Sequence, residues 1–309
     1  MKQSIVVSSC IAAFLVVLAG SSPARAQSVP SPLEVFGFEP GADYELADYD
    51  QMIDFYRRLD AASDRVEMTQ IGESSLGRPM YLVIVSSERN MRDLERWRSI
   101  SERMARARMA DDEAMGLAAE GRAIVWVDGG LDDQEYATGQ MMPELIHRVA
   151  TEESGEMRKI RDNVVALLMP HMNPDASHND VTWYRQNRGT PFETADPPRL
   201  GQPYVGTDNN RDWFMITQPE TWAASRIFYH EWYPQIVYNQ HQTGPSFTRI
   251  FIPPYADPVN PDIHPGVVAG VNMVGAAMAG RYATKRMPGY VSRAIYSMWW
   301  NGGMRLAPY

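Results

Sequence analysis

Four short apolar runs limit the architectures open to this chain. Residues 80–85 read MYLVIV, 124–127 read IVWV, 164–169 read VVALLM, and 236–238 read IVY. None alternates polar with apolar residues. A strand with one wet face would alternate, so these runs describe strands covered on both faces. Helical spacing fills the stretches between them. Residues 48–62 place Tyr49, Met52, Ile53, Phe55 and Tyr56 at helical intervals. Residues 133–150 and 265–282 also read as helices, the latter with small residues on one face. Residues 219–233 read as a helix with Pro219 in its first turn. Residues 91–120 interleave Arg with Asp and Glu, which describes a solvated helical face. Residues 249–252 (RIFI) form a further apolar run before Pro253-Pro254. Strands alternating with helices predict an α/β fold.

The first 26 residues predict a leader. Lys2 precedes an apolar run from Ile5 to Leu18, and Ala24-Arg25-Ala26 supplies small residues around a cut before Gln27. The run is too short to favour a membrane span, so the expectation is a secretory signal peptide and a periplasmic or secreted product without stable membrane insertion. Residues 27–43, with Pro30, Pro32, Pro40 and Gly41, predict an irregular lead-in, and residues 44–309 a single domain. Loss of Lys2 and Arg25 takes the net charge from −9 to −11, which argues against nucleic-acid binding. Cys10 is the only cysteine and falls in the leader. Any metal must therefore be held by His, Asp or Glu.

In a sheet covered on both faces, sites form where strands end and loops begin. Asp128-Gly129-Gly130 ends the run at 124–127, and Asp132 and Glu135 follow at a spacing that puts them on one face of a helical turn. Two carboxylates so placed could chelate a metal. Equally, Asp132 could be a helix N-cap with Glu135 as its capping-box partner. His241 ends the run at 236–238, and Asp132, Glu135 and His241 would make the three-ligand set typical of a catalytic zinc. Between them lie Trp183-Tyr184-Arg185-Gln186-Asn187-Arg188 and Asp208-Asn209-Asn210-Arg211-Asp212. Arg grips carboxylates through two hydrogen bonds, and a second Arg can steady an oxyanion. His147, His171, His178, His230 and His264 lack such context and read as structural or surface residues. Asp175-Ala176 and Asp257-Pro258 read as turn chemistry.

With these segments in place, the sequence resembles the zinc carboxypeptidase family. The likeness runs through Ile71-Gly72-Glu73-Ser74-Ser75-Leu76-Gly77-Arg78-Pro79, the Gly129-Gly130-Leu131 segment, Met172-Asn173-Pro174-Asp175, Asn210-Arg211 and the strand ending at His241. It implies a twisted mixed β-sheet sandwiched between two layers of helices. It implies one zinc per chain, held by Glu135, His241 and, where the family has a His, Asp132. Arg185 would polarise the scissile carbonyl, and Asn210 and Arg211 would hold the substrate's terminal carboxylate. Trp300 stands where the family carries a capping Tyr. The implied activity removes C-terminal residues from peptides, with protein or peptidoglycan peptides as substrates. The family's general-base Glu belongs to a later strand, and no acidic residue follows Asp262 in this sequence. Impaired turnover is therefore expected. Two further readings stay open: a module that holds peptide C-termini without cutting them, and a shortened, inactive fragment.

Overall fold

The computed structural model describes residues 29–131, 135–204, 209–242, 248–293 and 298. The predicted leader, Asp132 and Trp300 lie outside the described residues. Along the chain come helices α1 (Pro32–Phe36) and α2 (Tyr49–Ala62), then strands β1 (Val66–Glu73) and β2 (Pro79–Val85). Helices α3 (Glu88–Met91), α4 (Leu94–Arg106) and α5 (Asp111–Glu120) lead to β3 (Ala123–Asp128). Helices α6 (Tyr136–Thr151) and α7 (Gly155–Asn163) precede β4 (Val164–Met169), and α8 (Pro174–Asn187) follows it. Then come α9 (Pro219–Arg226), β5 (Ile236–Asn239), β6 (Ile250–Phe251), α10 (Pro265–Thr284) and β7 (Tyr290–Val291).

Five strands form one mixed sheet in the order β1-β2-β4-β3-β5. β1 runs antiparallel to β2, and β2 antiparallel to β4. β4, β3 and β5 are mutually parallel, so their C-terminal ends meet at one edge of the fold. The runs at 80–85, 124–127 and 164–169 have the predicted cause, whereas β5 is a part-exposed edge strand. Leu82, Ile84, Ile124, Trp126, Val165 and Leu167 point into one core, against α4, α5 and α9. Val83, Val85, Ala166 and Leu168 point into the other, against α2 and α6. β2 and β4 thus bury both sets of side chains, while β1, with Glu67 and Gln70 exposed, and β5 at the other edge stay partly open to solvent.

Several predicted elements differ in detail. The run at 249–252 pairs only as the short β6, parallel to β7 in a separate two-stranded sheet. α9 stops at Arg226 and continues as a π-helical turn over Ile227–Glu231. The lead-in contains α1, fixed by a Ser31–Glu34 capping box and Pro32. Asp175-Ala176 opens α8, capped by Asn173 with Pro174 beside it, and is no simple turn. α10 forms as predicted, yet of its 20 residues only Gly275 is buried, where the Pro253 carbonyl approaches. No helix among the described residues is long and apolar enough to cross a membrane.

Candidate active site

The site lies at the C-terminal ends of the three parallel strands. β3 ends at Asp128, and Gly129 and Gly130 turn the chain toward α6. The turn is bolted to the loop after β4: Gly129 N donates to Met169 O, Met172 N to Gly129 O, and Asn173 N to Gly130 O. Thr138 closes it from the far side, accepting from Gly130 N at 2.9 Å while its hydroxyl donates to Glu135 O.

α6 begins at Tyr136, so Glu135 is the residue preceding the helix. This corrects the predicted start near 133. It also removes Glu135 from the capping-box role, because a partner of an Asp132 cap would sit inside the first turn. The Glu135 side chain makes no hydrogen bond to the helix end. It turns instead to His241, whose Nδ1 lies 3.0 and 3.1 Å from its two carboxylate oxygens. The side chains are 15% and 27% exposed respectively, so the pair is sheltered yet open to solvent.

Nε2 of His241 faces two amides, each at 3.0 Å: Asn239 Oδ1 and Asn210 Nδ2. Their orientations are fixed by further partners. Asn239 Nδ2 donates to both oxygens of Asp128, at 2.8 and 3.0 Å, which leaves its carbonyl for the imidazole. Trp213 Nε1 donates to Asn210 Oδ1 at 3.0 Å, which leaves its NH2 for the imidazole. One acceptor and one donor therefore flank Nε2, and each tautomer makes one of these two bonds and forgoes the other. With the hydrogen on Nδ1, His241 donates to Glu135 and accepts from Asn210. With it on Nε2, His241 donates to Asn239, and Nδ1 presents a lone pair beside the Glu135 carboxylate.

The second tautomer is the one that fits a cation. A lone pair and a carboxylate 3.0 Å apart repel unless positive charge lies between them. An imidazole whose other nitrogen donates to a carbonyl is the usual arrangement for a metal-ligating histidine. Glu135 and His241 thus fit two ligands of one zinc ion. Asp132, the predicted third, lies outside the described residues. Among the described residues no three His, Asp or Glu side chains converge as a metal cluster.

Beneath the pair, Asp128 is fully enclosed. Burial pushes its carboxyl up to about 6, against the hydrogen bonds from Asn239 and Trp126 that favour its charged form. Asn210 is buried, while Arg211 beside it is exposed and bonds Asn210 O at 3.5 Å. Arg185 is not gathered into this group. Its guanidinium donates to Asp48 Oδ2 and Gln51 Oε1 at 2.6 Å and to Leu46 O at 2.7 Å, all at the start of α2. In place of the predicted carbonyl-polarising position, it is held as an ion-pair partner of the α2 N-cap.

His171, expected to be structural or on the surface, is enclosed in the loop support. Its ring lies so close to Gly130 and Gly139 that a Cβ at either would come within 2.1 and 2.7 Å of it. Burial pushes its imidazole down to about 4. The folded value lies below the ordinary unfolded value of about 6.5. The folded state therefore binds fewer protons, and the stability His171 lends is present above about pH 6.5 and lost as pH falls through about 4. Linkage sets that loss at about 3 kcal/mol. Urea midpoints at about pH 7 and about pH 4 should show a much smaller acid-induced drop for His171→Leu than for the unsubstituted protein. Equal drops would count against this assignment.

Residues 52–246, more than half of the chain, match the zinc carboxypeptidase family of M14 peptidases. This chain belongs to the zinc carboxypeptidase family. Solved structures of the family share its fold. Carboxypeptidase A from Helicoverpa armigera aligns with a TM-score of 0.53 at 16% identity, over 81% of this chain and 57% of its own. A metallo-carboxypeptidase from Pseudomonas aeruginosa, solved with (2-guanidinoethylmercapto)succinic acid, aligns with 0.53 at 17%, over 85% and 56%. One from Burkholderia cenocepacia gives 0.51 at 15%, over 85% and 56%. The chain thus spans little more than half the length of these structures. A search of curated proteins returns no match. In this zinc carboxypeptidase fold, Asp128, Asn239, Thr138 and His171 support the site without any motif of their own. Their one sequence signal is position, at or just beyond the ends of parallel strands or in the first turn of the helix that follows.

Proposed function

We propose that this chain is a zinc-dependent metallocarboxypeptidase-type hydrolase that removes C-terminal residues from peptides, with weakened turnover. The observation that carries the reading is the meeting of Glu135 and His241, 3.0 Å apart and 106 positions apart in sequence, with Asn210 on the same imidazole. Glu135 and His241 would hold the zinc together with Asp132. When bound, zinc supplies Lewis acidity toward the scissile carbonyl. The residues of this chain do the rest. Arg211, exposed beside Asn210, meets the terminal carboxylate of the substrate by a charge-assisted contact. Asn210 lies between that contact and the imidazole, so the two ends of the scissile residue are referenced to one segment.

Weakened turnover follows from Asp132. An anion where the family has a neutral imidazole lowers the charge of the site and its power to activate water. The leader-like residues 1–26 support export, and with it peptides or peptidoglycan peptides as substrates. Elemental analysis and zinc titration of the purified protein test the metal, with one zinc per chain expected. Turnover of a blocked dipeptide tests the chemistry, with a rate well below that of family members expected. A chain that binds no zinc and cleaves no peptide sinks the reading. Tight binding of peptide acids without cleavage would instead support the non-cutting module, which the exposed Arg211 beside a buried Asn210 also favours.

A further inference from the structure

We infer that Glu220 is a positioning residue that sets the Asn210–Arg211 clamp, acting through Asn209. The inference rests on the proposed role of that clamp. Glu220 is the second residue of α9 and is 0% exposed. Among the described residues no Lys or Arg pairs with it. Its partners are three neutral donors: Ser75 N at 2.6 Å to one oxygen, and Ser75 Oγ at 3.2 Å and Asn209 Nδ2 at 3.0 Å to the other. A buried carboxylate without a cation is costly, and Gln would be the cheaper side chain on that ground alone. Both oxygens face donors, which a carboxylate satisfies as it stands; a Gln amide would do so only if Asn209 turned its own amide over and gave up a charge-assisted bond for a neutral one.

Asn209 opens the single 3-10 turn Asn209–Arg211. Its NH2 is held by Glu220, while its buried Oδ1 has no partner among the described residues. The Glu220 bond therefore fixes this side chain. At the other end of the turn, Asp212 accepts from Thr217 N, Thr217 Oγ1, Gln218 N and the Thr221 hydroxyl. Burial opposes charge on Asp212, but those hydrogen bonds outweigh it and hold the carboxyl below its ordinary range. Both ends of the turn are thus tied to the start of α9, and between them Asn210 reaches His241. A shift of Asn209 would move Asn210 and Arg211 together and leave Glu135 and Asn239 where they are.

The test compares Glu220→Gln and Asn209→Ala with the unsubstituted protein. The probes are an N-acetylated dipeptide and its C-terminal amide, titrated calorimetrically, with zinc affinity and melting temperature measured alongside. In the Glu220→Gln variant either the Ser75 N bond is lost or Asn209 turns its amide over, and in both cases a neutral bond replaces the charge-assisted tie to the clamp. Affinity for the acid should fall about tenfold, the low end of what removing the support of a binding group costs. Affinity for the amide and for zinc should not change. Asn209→Ala leaves Glu220 and Ser75 bonded and should reproduce the acid-specific loss; it decides the question alone if Glu220→Gln does not fold. Equal losses for acid and amide, or no loss in a folded Asn209→Ala variant, would overturn the inference and make Glu220 a staple of the fold only. If the unsubstituted protein fails to prefer acid over amide, the clamp itself is absent, and the proposed function falls before this inference is reached.

Discussion

Replacing His241 with alanine is expected to abolish tight zinc binding while leaving the protein folded. The imidazole sits at the end of a strand, 27% exposed, so truncation opens no closed cavity. Stability should fall by about 1 kcal/mol, the centre of the range for point substitutions. Metal affinity should change far more. Loss of a residue that merely supports a ligand weakens binding by roughly 10–100-fold. In the proposed three-ligand site, loss of one ligand should exceed the upper end of that range. Glu135→Gln keeps the shape and removes the charge, and should fall in the same direction. Zinc titration with parallel thermal melting checks both. Unchanged stoichiometry and affinity in His241→Ala would mean that this histidine is only a hydrogen-bonding residue, and the peptidase reading would go with it.

The parts of the fold legible in the sequence are those set by burial. Continuous apolar runs fit a doubly covered sheet, and β2, β3 and β4 bury theirs that way, while β5 stands where its run stands but lies at the sheet edge with Ile236 exposed. Polar helices are harder to read. α8 reads PDASHNDVTWYRQN, with little apolar periodicity, and its start is marked by Asn173 and Pro174 alone. Local spacing also misplaces Glu135. Asp-x-x-Glu before an apolar stretch is a capping signal, but the helix begins one residue after Glu135, and its carboxylate is drawn to a histidine 106 positions away. Nothing within four residues of Glu135 records that partner; only the likeness of several ordered motifs does. Arg185 shows the same limit in reverse. Its motif suggests a substrate contact, while Asp48, 137 positions away, offers a carboxylate that the α2 cap has already placed. Long-range pairing decides such cases, and a single sequence carries little of it.

Gly130 is where backbone geometry, packing and the site come together, and Gly130→Ala should be among the costliest small substitutions in the chain. Its φ of +61° lies in the left-handed region, where an alanine costs roughly 1–2 kcal/mol. The added Cβ would also come within 2.1 Å of the His171 ring, well inside van der Waals contact. Overpacking of that kind costs about 1–3 kcal/mol more. The ring cannot easily retreat, since Gly139 lies against it as well. Together the two effects predict about 2–5 kcal/mol, a fall in melting temperature of roughly 10 °C for a domain of this size. They separate experimentally. His171→Ala in the same chain removes the clash but not the strained φ, so the double variant should be less destabilised than the sum of the singles, by about 1–3 kcal/mol. Zinc affinity should follow the packing contribution, because Gly130 N is tied to Thr138 and Thr138 to Glu135 O. Strict additivity of the two substitutions would show that the ring does not brace the turn. The close approach of His171 to Gly130 would then be packing without consequence for the loop that carries Glu135.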